Sequence, residues 1–155
     1  MPMNKKPTIA LRPLLAGLAL LFWALPAASQ CSVSASSVAY GSYDPLAALP
    51  VDSVGTVTVS CALSLGYNIA LSTGGAGSFS PRKLSNGPDT LNYNLYTDPT
   101  YLTIWGDGSG GTATVSGAIG LLLLPINHTV YGRIPGGQNA AAGSYSDTIT
   151  VTVTY

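Results

Sequence analysis

The chain has 155 residues and no net formal charge, with six basic side chains, six aspartates, no glutamate, one histidine and two cysteines. So few and scattered cations exclude a nucleic-acid surface, and with dispersed aspartates and no glutamate a carboxylate pair for glycosidic chemistry would form only by coincidence of the fold. Abundant Thr, Ser, Gly, Val and Tyr describe a β-rich extracytoplasmic protein.

The first 29 residues predict a secretory signal peptide. Lys5, Lys6 and Arg12 precede an apolar run from Leu14 to Leu25, and Ala27 and Ser29 occupy the small-residue positions of a cleavage site. That run has 12 residues, short of the roughly 20 that span a bilayer, so no permanent membrane anchor is expected. A lipid anchor on Cys31 would need a small residue before it, and Gln30 is not small. The expected mature part is a single domain over residues 30–155. It keeps Arg82, Lys83 and Arg133 against six aspartates, a net charge of −3.

From here the chain reads as strand, turn, strand. "SVSASSVAYG" (32–41) is a loose first strand. "TVTVSCALS" (56–64) alternates, placing Val57, Val59, Cys61 and Leu63 on one face. "YNIALS" (67–72) and "TLNYNLYT" (90–97) repeat the period of two, and "INHTVYGRI" (126–134) follows. The last residues, "TITVTVTY", put Ile149, Val151, Val153 and Tyr155 on one face and four threonines on the other. Turn-forming stretches separate these runs: "STGGAGSFSP", "SNGPD", "GDGSGGT" and "IPGGQNAAAGS". No segment carries a helical period, and "PLAAL" (45–49) allows one turn at most. Short strands at this spacing predict an all-β fold, an antiparallel sandwich.

Cys31 and Cys61 are an even count in an exported protein and read as a disulfide. By the chain-entropy model, closing that loop contributes about 3–4 kcal/mol. A metal site is the weaker reading, because the sole histidine, His128, is distant in sequence and no CxxC pair exists.

Three stretches invite a chemical reading. "GDGSGG" (106–111) approximates the sequence around a serine-protease nucleophile, but an extra glycine breaks its spacing and His128 follows Ser109 instead of preceding it. A turn is the better reading, and a hydrolase or lectin built on Asp107 and Ser109 ranks last among the functions. His128 shares strand parity with Ile126 and Val130 and reads as a structural side chain. "GLLLLP" (120–125) does not alternate. Leu121, Leu122, Leu123 and Leu124 are either a fully buried strand or an adhesive loop displayed between Gly117, Gly120 and Pro125. The solubility cost of four exposed leucines favours burial.

Taken together, "CSVSASSVAYGSYDPL" (31–46), "VTVSCALSLGYNIALSTGG" (57–75), "RKLSNGPDTLNYNLYTDPTYLTIWGDG" (82–108) and "VYGRIPGGQNAAAGSYSDTITVTVTY" (130–155) resemble the spore coat protein U domain family, shared with subunits of archaic chaperone–usher pili. Tyr40 stands where that family usually has phenylalanine. The resemblance implies an immunoglobulin-like sandwich lacking its last strand. It also implies a periplasmic chaperone, an outer-membrane usher and other pilus subunits as partners, with β-strand complementation joining them. Ile149, Val151, Val153 and Tyr155 would then form one wall of the strand-accepting groove.

A strand donor needs about a dozen free residues ahead of its first cysteine, and the expected cleavage leaves only Gln30. The chain is therefore expected to accept a strand but not to give one, the property of a tip subunit. Such subunits are thought to adhere through apolar loops, which brings Leu121–Leu124 back into view. The leading expectation is a non-enzymatic, exported, adhesive pilus subunit acting in surface attachment or biofilm formation, with no cofactor. The alternative is a coat protein that self-assembles on a spore or cell surface.

Overall fold

The computed structural model describes residues 30–62, 66–118 and 124–155. They form eight strands and, among the described residues, no helix: β1 (Gln30–Ala35), β2 (Val51–Ala62), β3 (Tyr67–Leu71), β4 (Arg82–Asn86), β5 (Asp89–Tyr96), β6 (Val115–Gly117), β7 (Ile126–Ile134) and β8 (Val151–Thr154). Two antiparallel sheets result, one ordered β1-β2-β7-β5-β4 and the other β6-β3-β8.

The alternation in the sequence determines which face turns inward. Along β2, Val57, Val59 and Cys61 are buried while the threonines and serines between them stay nearer solvent. β7 runs antiparallel to β2, from Val51↔Ile134 to Val59↔Ile126, and buries Val130 and Ile134. β3 contributes Tyr67, Ile69 and Leu71, and β5 contributes Leu91, Tyr93 and Leu95. Leu63, expected on the Cys61 face, lies outside the described residues.

Trp105 joins the two sheets. Its N–H donates to the Leu95 carbonyl at 2.9 Å, and its fully buried indole Nε1 donates to the Ile69 carbonyl at 3.0 Å. The pairing satisfies the one polar atom of a large apolar side chain. Behind it lies Arg82, also fully buried. Its guanidinium donates to the Ser72 carbonyl, to the Trp105 carbonyl at 2.7 Å and to Asn94 Oδ1 at 2.8 Å. Burial lowers its pKa, since the charged form loses hydration.

The structure adjusts the strand boundaries. β4 and β6 are additions: one begins on two cations and the other has three residues, so neither shows a period of two in the sequence. β2 starts at Val51, ahead of the alternating run. β1 ends at Ala35, after which the chain stays beside β2 through Ser36 N–H to the Thr56 carbonyl (2.9 Å) and Ser53 Oγ to the Ala39 carbonyl (2.7 Å). At the C-terminus, regular strand begins at Val151 instead of Thr148. "PLAAL" holds one turn, closed by Ala47 N–H on the Asp44 carbonyl at 3.1 Å.

Candidate functional site: a groove between two sheet edges

β1 lies at the end of one sheet and β8 at the end of the other, and among the described residues each is paired on one side only. In an antiparallel strand the N–H and C=O of one residue point to the same side. Thr150 turns both toward β3: its carbonyl accepts from Ser72 N–H at 3.0 Å and its N–H donates to Ser72 Oγ at 2.9 Å. Ile149, Val151 and Val153 therefore direct their backbone polar groups the other way, off the sheet. The same argument applies across the gap. Ser36 faces β2, so Ala35 and Ser37 direct theirs outward.

Between these edges run two adjoining cavities. One, of about 350 Å³, lies between Ala35–Val38 and Thr148–Val151, over a floor that includes Val57, Leu71, Tyr93, Leu95 and Val130. The other, of about 820 Å³, continues between Ser37–Tyr43 and Ala140–Asp147, over Leu84, Leu91 and Ile134. Ser37, Val38, Tyr40, Leu84 and Asp147 line both. The result is an open groove with an apolar floor, whose smaller cavity has outward-directed backbone on both walls, while at Ser146 the wall of the larger one is bonded to Ser85 of β4. Val33 shows how incomplete the cover is. It faces the same way as its register partner Val59, yet is 43% exposed where Val59 is 0%.

Two polar features interrupt the floor. Tyr93 donates to Asp147 Oδ2 at 2.6 Å, and burial together with that carboxylate raises the Tyr93 pKa. Tyr40 packs edge-on against Tyr93, with ring centroids 6.1 Å apart, and burial likewise raises its pKa. The Tyr40 hydroxyl is buried with no hydrogen-bond partner.

A model of the Spore Coat Protein U domain matches residues 18–152. The chain belongs to the Spore Coat Protein U domain family. Protein U of Myxococcus xanthus is 36% identical to it over 129 residues, which is 75% of this chain and 70% of that protein. Among solved structures, it is similar to a chain in the crystal structure of the CsuC–CsuE chaperone–tip adhesion subunit pre-assembly complex from archaic chaperone–usher Csu pili of Acinetobacter baumannii. The TM-score is 0.59 at 22% identity over 83% of this chain. That likeness is one of fold, the immunoglobulin-like fold of a pilus subunit, and the chain spans 40% of the length of the one it matches.

Within this Spore Coat Protein U fold the residues singled out in the sequence fall as follows. Ile149 and Val151 line the smaller cavity. Val153 is half-buried opposite Ile69, and Tyr155, beyond the end of β8, is 54% exposed and lines neither cavity. Cys31 and Cys61 are register partners joined by a disulfide, with Cα atoms 4.1 Å apart, stapling the edge strand β1 to β2. Leu121, Leu122 and Leu123 lie outside the described residues, and Leu124 is 65% exposed. His128 is half-buried, its Nε2 2.8 Å from the Tyr67 hydroxyl. In "GDGSGG" the Ser109 hydroxyl donates to Asp107 Oδ1 at 2.6 Å inside an exposed turn, away from any pairing with His128. No three His, Cys, Asp or Glu among the described residues gather to hold a metal ion.

The sequence does not place the opposite wall, and it gives most floor residues as faces of separate strands without joining them into one groove. Ser37 and Ala39 fall in the loose first strand and Ala140–Ser144 in a turn-forming stretch, small residues whose sequence marks no groove wall. Asp147 carried a weak signal, a charge at the inward parity of the terminal strand.

Proposed function

We propose that this chain is a non-enzymatic, exported, adhesive protein whose sandwich is completed by a β-strand from another polypeptide, as a subunit of an archaic chaperone–usher pilus. The facing edges carry this reading: outward-directed backbone at Ala35 and Ser37 on one side and at Ile149, Val151 and Val153 on the other, above an apolar floor. Added strands gain main-chain hydrogen bonds from such edges and specificity from alternate side chains entering the groove. Unfilled, the same edges are sites of aggregation.

The groove's first occupant would be a periplasmic chaperone and, after the outer-membrane usher, a neighbouring subunit. The tip position is supported by the expected cleavage after Ser29, which leaves one residue ahead of Cys31. In that position Leu121–Leu124 would meet the surface in attachment or biofilm formation, and the exposure of Leu124 is in keeping with that role.

Co-expression with and without a cognate periplasmic chaperone tests the proposal by native mass spectrometry. A soluble one-to-one complex, with the subunit degraded or aggregated when alone, is the expected result. A stable monomer made without a chaperone would sink it. The family description favours a second reading, a coat protein assembling from copies of itself. Chaperone-independent homo-oligomers would support that reading instead.

A further inference from the structure

On the terminal segment Asp147, Ile149 and Val151 line the groove, and Val153 continues their parity beyond the cavities. The first breaks an otherwise apolar series with a carboxylate, and it lies where the two cavities meet. Asp147 Oδ1 accepts from the N–H groups of Gly75 and Thr148, each at 2.8 Å, and Oδ2 accepts from the Tyr93 hydroxyl at 2.6 Å. An ionised carboxylate offers about four acceptor sites, so these three donors leave one open on Oδ2. Arg82 attracts the charge from a distance, but its guanidinium donates to Ser72, Asn94 and Trp105 instead.

The carboxylate is also held in place. A Cβ on Gly74 would fall 2.0 Å from Oδ2, so only the bare glycine backbone fits there. Packed against Gly74 and bonded to Tyr93, the carboxylate of half-buried Asp147 stays at the groove. A strand laid over the groove removes the remaining hydration. An apolar side chain above Oδ2 would then bury an acceptor with no partner, whereas a hydroxyl or ammonium group would satisfy it.

We infer that the strand completing this sandwich carries a hydrogen-bond donor, such as serine, threonine or lysine, at the inward position beside Asp147, and that this polar match sets its register. Beside Ile149 and Val151 the inward positions are apolar. A slip of two residues preserves the alternation but moves an apolar side chain over the carboxylate, so the pairing discriminates between registers that hydrophobicity alone leaves equivalent. The inference rests on strand acceptance.

Synthetic peptides alternating valine and threonine, with each inward valine replaced in turn by serine or lysine, test it. They are offered to the purified exported chain, chaperone-bound where solubility requires, and complexes are quantified by native mass spectrometry. One inward position should prefer the donor over valine by about tenfold, the scale of a charge-assisted hydrogen bond. Asp147→Leu should abolish the preference. Tyr93→Phe, which frees a second acceptor site on a carboxylate left in place, should enlarge it and gives a readout even where Asp147→Leu fails to fold. Peptides that bind with valine favoured at every inward position overturn this inference and leave strand acceptance standing. A stable chain that binds no peptide overturns both.

Discussion

Tyr40 carries a hydroxyl that its surroundings do not use. The ring is needed: it packs on Tyr93 and lines both cavities. The oxygen is buried without a partner, at a position where the family resemblance leads one to expect phenylalanine. A buried unsatisfied polar group costs about 1–3 kcal/mol. Tyr40→Phe is therefore expected to stabilise the subunit in its chaperone complex by up to that amount, read as a higher thermal unfolding midpoint. Gly132 is the counterpart. A Cβ there would lie 2.4 Å from the Tyr40 hydroxyl oxygen and 2.6 Å from a Val38 methyl, so Gly132→Ala should destabilise by about 1–3 kcal/mol through overpacking. Tyr40→Phe removes the nearer of the two clashing atoms. The double variant should recover part of the loss, and additivity in that cycle would show that the two sites do not press on each other.

Two contacts tie whole elements together and set separable expectations. The Cys31–Cys61 disulfide holds edge strand β1 to β2. Replacing both cysteines with serine should cost about 2–5 kcal/mol, and amide exchange should show β1 fraying before β7. The His128–Tyr67 contact joins β7 of one sheet to β3 of the other. Burial holds the His128 pKa below its ordinary range, so the unfolded chain takes up that proton more readily than the fold does. Stability is thus present above the ordinary histidine range and falls as acid is added from there down through the lowered folded-state pKa. Urea midpoints across that window should drop for the natural chain and stay flatter for His128→Gln. The long elements were legible in the sequence because one solvated and one buried face impose a period of two, plain in β2, β5 and β7. β4 was hidden because its inward Arg82 is a buried cation satisfied by carbonyls from distant loops, which no local pattern encodes.

For the molecule as a whole, the sequence announced a terminal strand and left open what covers it; the answer depends on how two sheets meet. One edge of β8 is taken by β3, and the other faces the groove. The wall across from it is a run of serines and alanines that became visible only when the fold placed them beside an apolar floor. That arrangement makes a residue-by-residue prediction. In the uncomplexed chain the amides of Ile149, Val151 and Val153 should exchange quickly, while those of Thr152 and Thr154, turned toward β3, are protected. Ala35 and Ser37 should likewise exchange fast beside a protected Ser36, whose N–H is bonded to Thr56. A strand inserted between the sheets bonds to both walls, so on complex formation the fast amides of both should slow together. Protection appearing on the 149–153 side alone would mean that the partner extends one sheet without bridging to the other. The molecule would then present a sticky edge where a slot for a missing strand is proposed.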